Sequence, residues 1–176
     1  MQALLFILGT LLTLVVVAFL LRVLMPLFRA DFRNPLGEAV LKLTNPLVLP
    51  LRRVLPPGKR FDPASLAALL IVQFAGTALL RLVAGGGFRV EAILLGGLRE
   101  LLHTVLQFYF FAVLVYALLS WFADARYNPA AQILSKLVEP LLAPIRRVVP
   151  PLGGLDLSAL FLLIALQAAQ IALRSM

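Results

Sequence analysis

A stretch of forty residues occurs twice in this chain, and the two copies are offset by 94 residues with no gap. Asn34-Pro35, Pro46, Pro50, Arg52-Arg53, Pro56-Pro57 and Asp62 recur as Asn128-Pro129, Pro140, Pro144, Arg146-Arg147, Pro150-Pro151 and Asp156. Between positions 34 and 73 the copies share 16 residues, Lys42 and Gln73 among them. Shared leucine means little in a leucine-rich chain, but Asn, Pro, Arg, Asp and Gln held in register cannot arise from composition. The stretch is an internal duplication, so the fold must be assembled from two equivalent units.

Each copy is flanked by long apolar runs. Apolar residues make up 62% of the 176, and the mean hydropathy is +1.01, far outside the range of soluble domains. The chain reads as an integral membrane protein. It has no cysteine, which excludes disulfides, thiolate metal sites and cysteine nucleophiles, and its one histidine excludes a multi-histidine metal or haem site within a single chain. Its net charge of +8 would suggest nucleic acid in a soluble protein; here it fits orientation in, and contact with, an anionic membrane surface.

Residues 3–21 carry no charge and are long enough to cross about 30 Å of hydrocarbon as a helix. No basic n-region precedes them, and Arg22 and Arg29 follow, so the run reads as a retained span rather than a cleaved signal. Asn34-Pro35 is an N-cap with proline at the first helical position. Leu36, Ala39, Val40 and Leu43, matched by Ala130, Ile133, Leu134 and Leu137, place one apolar face on a helix of about ten residues lying in the interface plane. Pro46 and Pro50, with Pro140 and Pro144, then predict an end to regular helix. The segment from Pro46 to Pro57 reads as an embedded Pro-Arg hairpin.

Asp62 and Asp156 read as N-caps of the next spans, about 64–84 and 157–173. Gly85-Gly86-Gly87 opens the linker between the units. Residues 91–100 are expected at the outer interface, ahead of a third span over about 101–123. The fold class is therefore an all-α membrane protein of four transmembrane helices. They come from two parallel two-span repeats, 1–84 and 85–176, each with a cytoplasmic interfacial helix and a Pro-Arg hairpin. Eleven of the sixteen basic residues lie in the two proline-arginine segments, which the positive-inside rule puts in the cytoplasm with both termini outside. An even number of spans per repeat makes the copies parallel, related by an axis along the membrane normal.

Asn-Pro, a proline eleven residues after it, Pro-x-Arg-Arg-x-x-Pro-Pro and an Asp before an apolar span, all duplicated in a small four-span chain, resembles the YggT (YlmG) family. The resemblance covers nearly the whole chain. It implies a bacterial inner-membrane protein with relatives in cyanobacteria and chloroplasts. It also implies associations with cell division or nucleoid and plastid organisation, osmotic or ion stress, and cytochrome cofactor assembly, with no agreed biochemical activity. The second copy departs from the first, with Glu139 and Asp156-Leu157 where the first has Asn45 and Asp62-Pro63.

Arg52-Arg53 and Arg146-Arg147 have two readings: guanidinium forks for lipid phosphates or an acidic partner, or charges that only set topology. Asp62 and Asp156 read as caps that neutralise a nearby arginine in preference to functional carboxylates. Gln73 and Gln167 sit at matched mid-span positions. An unpaired amide is costly in lipid, so both are expected to face the interior of a pseudo-twofold pair of repeats as helix-to-helix glue. Gln170 adds a pore-lining option. His103, one turn after Glu100, reads as an interfacial histidine. Nothing supplies an activated nucleophile, a phosphate loop or a metal motif, so no enzymatic activity, cofactor or metal is expected.

The reading that follows is a non-catalytic inner-membrane scaffold or assembly factor presenting basic Pro-Arg segments to anionic headgroups or a membrane partner. Homo-oligomers are allowed and nucleic acid is not expected. The alternative is a small oligomeric channel or transporter linked to osmotic or ion stress, lined by Gln73, Gln167 and Gln170.

Overall fold

A computed structural model describes residues 1–28, 34–58, 61–119, 129–148 and 157–175. Those residues form six helices: α1 Gln2–Leu27, α2 Pro35–Arg52, α3 Pro63–Val83, α4 Val90–Leu119, α5 Pro129–Val148 and α6 Leu157–Ser175. Helices α1, α3, α4 and α6 are long and apolar enough to cross a membrane, which bears out the four-span, all-α expectation. Asn128, Pro150, Pro151 and Asp156 lie outside the described residues.

Asn34 caps α2 as its sequence predicts: its Oδ1 accepts from the Gly37 amide at 2.8 Å, and Pro35 takes the first helical position. The helix then continues where the prolines were expected to stop it. It runs 18 residues through Pro46 and Pro50, and α5 runs 20 residues through Pro140 and Pro144. The hairpin expected from Pro46 onward is thus a proline-containing helix. In the first repeat the turn begins only at Arg53, ahead of Pro56-Pro57. Spacing explains this, because prolines four apart stack on one face, and all four are exposed. Each removes one backbone hydrogen bond on the open side while the opposite face stays packed.

The packed face of α2 also differs from the apolar stripe in the sequence. Gly37, Val40, Thr44 and Val48 are buried, whereas Leu36, Ala39 and Leu43 point outward. Small and hydrogen-bonding residues make the contacts of α2 with its neighbours, and Leu36 and Leu43 are left on its outer face. In α5, Ile133 and Leu137 are buried as expected.

Helix α1 extends past the predicted end at residue 21 to Leu27, carrying Arg22 into the core. Residues 91–100, expected ahead of the third span, are continuous with it as the first turns of the 30-residue α4, since no proline interrupts them. Within each repeat the two spans pack on each other, α1 on α3 and α4 on α6, with α2 and α5 against them. The repeats meet chiefly where α3 lies on α4. A β-carbon on Gly97 would come within 2.6 Å of the Phe74 ring, so glycine is what lets α4 approach there. Among the described residues no comparable seam joins α6 to α1, so the two repeats are not packed as the symmetric pair expected from their sequences.

Candidate functional site

The charged residues of the first repeat converge where α1, α2 and α3 meet. Arg22, 1% exposed, reaches across to α2, donating through Nη1 to Thr44 Oγ1 at 2.9 Å and to Asn45 Oδ1 at 2.7 Å. Thr44 in turn donates to the Val40 carbonyl at 2.6 Å. On the α3 side Asp62 Oδ2 accepts from Arg52 Nη2 at 2.5 Å, from Arg52 Nε at 3.2 Å and from Ser65 Oγ at 2.6 Å. Asp62 occupies the N-cap position, yet its carboxylate makes no cap bond, because the arginine on α2 is the stronger partner. Burial alone pushes the Asp62 carboxyl up. The bonds from Arg52 and Ser65, with the Arg52 charge, outweigh it and hold the group below the usual carboxylate range.

The second repeat answers with different chemistry at the same positions. Glu139, in the place of Asn45, accepts from Arg146 Nη1 at 2.6 Å within α5. Tyr116 stands where the first repeat has Arg22, and Val138 where it has Thr44, so the hydrogen-bonded bridge from the first span is particular to repeat one.

The two arginine pairs therefore divide their work. In each, the first member, Arg52 or Arg146, is half-buried and turned to a carboxylate. The second, Arg53 or Arg147, is exposed. Sequence reasoning treated the four alike, and it counted Arg22 only as a charge at the end of a span. The signal for Arg22 was its place within the continuing apolar run Val23-Leu24-Met25.

The glutamines part company. Gln73 is 1% exposed, donates to Thr77 Oγ1 at 3.2 Å and lines a cavity of about 560 Å³ between α1, α3 and α4, along with Thr104, Arg81 and Glu100. Gln167, expected to face inward likewise, is exposed on α6 beside Ile164 and Ile171. The reason is the missing α6–α1 seam: the face that α3 buries against α4 stays open on α6. Gln170, at the position of Gly76, is the buried amide of α6, and its Nε2 has no hydrogen-bond partner among the described residues. The three glutamines thus do not converge on one path through the chain. His103 lies beside Arg174, whose Nη2 is 3.2 Å from His103 Nε2, and Arg99 donates to the Leu173 and Arg174 carbonyls, tying the end of α6 to α4.

Comparison with known proteins places this arrangement. An uncharacterised protein of Pseudomonas aeruginosa is 39% identical over 168 residues, 94% of this chain and 85% of the relative. The uncharacterised YggT of Escherichia coli K12 is 37% identical over 170 residues, 94% of this chain and 86% of the relative. An uncharacterised protein of Vibrio alginolyticus is 36% identical over 172 residues, 96% and 92% of the two chains. No solved structure matches the chain significantly. The CCB3/YggT family model matches twice, over residues 1–83 and 95–176, in keeping with the duplication, and the chain belongs to the CCB3/YggT family.

Proposed function

We propose that this protein is a non-catalytic scaffold of the bacterial inner membrane, whose α2 and α5 ends present Arg53 and Arg147 to anionic phosphate headgroups on the cytoplasmic side. The observation that carries the reading is the split within each arginine pair. One arginine is committed to a carboxylate and fixes the end of the helix; its neighbour is left exposed on that fixed backbone. A charge needed only for orientation requires no such support. A guanidinium held at headgroup depth can grip phosphate through two parallel hydrogen bonds, which an ammonium cannot.

The cytoplasmic placement follows from the excess of basic residues in the two proline-arginine segments. Replacing Arg53 and Arg147 together by Lys keeps the topogenic charge and removes the fork. Native mass spectrometry of the purified protein should then show less retained cardiolipin and phosphatidylglycerol than the parent, with membrane insertion unchanged. Equal lipid retention would leave the arginines as orientation charges alone.

A further inference from the structure

The duplication supplies a test of which surfaces are complete. Helix α3 buries a face against α4 through Gln73, Phe74 and Thr77, which meet Gly96, Gly97 and the level of Thr104. Moving each of these positions 94 residues along gives Gln167, Ala168 and Ile171 on α6. All three are exposed, as are Phe161 and Ile164 on the same side. The α4 side of the seam has its equivalents at the start of the chain: Gly96, Gly97 and Thr104 correspond to Gln2, Ala3 and Thr10 of α1, and these too are exposed, Thr10 at the rim of the cavity that Gln73 lines. One chain therefore carries both halves of a second seam, on α6 and on α1, and among the described residues does not pack them on each other as α3 packs on α4.

An apolar face on a spanning helix needs no cover, since lipid suffices. Gln167 is different. Its amide sits mid-helix on that face and makes no hydrogen bond among the described residues, and Ile171 stands where Thr77 gives Gln73 a hydroxyl. A bare amide in hydrocarbon is costly, whereas small and hydroxyl residues on a neighbouring helix are what such an amide packs against. The start of α1 offers both, with Ala3 for close approach and Thr10, whose hydroxyl donates to the Phe6 carbonyl at 2.8 Å, as the acceptor for the amide. A seam between unlike faces of one repeated unit is heterologous, and a heterologous contact left open at both ends of a chain recruits the next copy.

We propose that a second copy of this chain docks its α1 on the outer face of α6, as α4 docks on α3, so that Gln167 meets the second copy's Thr10.

The cysteine-free chain makes the test direct. Gly96 and Thr77 face each other across the existing seam without crowding, a β-carbon on Gly96 coming within 3.9 Å of Thr77 Cγ2. Their equivalents are Gln2 and Ile171. A chain bearing Gln2→Cys and a separately tagged chain bearing Ile171→Cys, co-expressed and oxidised in native membranes, should shift to a mixed disulfide-linked dimer. Gly96→Cys with Thr77→Cys in one chain reports that the oxidant reaches a seam of this kind. Leu79→Cys, exposed near the same end of α3, replaces Ile171→Cys as the collision control. The proposal fails if the mixed pair yields no more dimer than that control, or if Ile171→Cys alone links to itself, which marks a face-to-face contact. It fails equally if one chain carrying both cysteines closes on itself, since α6 then covers its own α1. Native mass spectrometry of the unaltered chain ejected from membrane vesicles gives an independent reading, and a monomer alone also overturns it.

Discussion

Residue by residue, the buried polar groups of repeat one behave as a single support. Asp62 lies between Arg52 and Ser65, and Arg22 spans from α1 to α2, so the ends of three helices are held by hydrogen bonds as well as by apolar packing. Asp62→Asn removes the charge that Arg52 neutralises. Because Arg52 is open to solvent on one side, the expected loss is about 1–2 kcal/mol rather than the roughly 3–5 of a fully buried pair. Thermal unfolding in mild detergent measures it, and Arg53→Ala in the same assay should leave stability unchanged. The carboxyl's folded pKa lies below its unfolded value, so its contribution is complete above the ordinary carboxylate range and is lost as pH falls through the depressed folded value. Acid should therefore lower the melting temperature of the parent more than that of Asp62→Asn, and the two curves should converge at the acid end.

At the scale of the element, the prolines are the instructive case. A proline inside a helix costs about 3 kcal/mol relative to alanine when nothing compensates. Pro46 and Pro50 sit on the exposed face of α2, and the opposite face is anchored through Thr44 and Asn45 to Arg22. The combined change Pro46→Ala and Pro50→Ala should thus preserve helix content by circular dichroism and raise the melting temperature. A hairpin at these positions would respond in the opposite sense, because alanine would release the turn. Proline spacing was legible in the sequence, but its meaning was not. The rule that proline ends a helix assumes that nothing compensates for the lost hydrogen bond, and a helix packed along its opposite face relaxes that assumption.

For the whole molecule, the two repeats are equivalent in their helices and unequal in their surroundings. The short linker from Val83 to Val90 keeps α4 beside α3, whereas nothing covalent brings α6 to α1. Gln73 and Gln167, at matched positions of the two repeats, end up buried and exposed for that reason. Orientation in the bilayer belongs to this scale as well. Reporter fusions at Gly58, Gly86 and Gly153 are expected to read inside, outside and inside, as the asymmetry of basic residues requires. An outside signal at Gly58 would reverse the orientation and remove the cytoplasmic headgroups from the proposed function.

By itself the sequence determined the membrane class, the four spans, the duplication and the Asn34 cap. Each depends on local composition or on short-range backbone chemistry, which survive whatever the rest of the chain does. Which arginine of a pair turns inward, that Arg22 is a buried bridge, that α2 packs its small face and that Gln167 is left open were decided only by the tertiary structure. These outcomes turn on which helix lies opposite which face. In a membrane, where apolar burial no longer sorts inside from outside, the sequence pattern alone does not say which face that is.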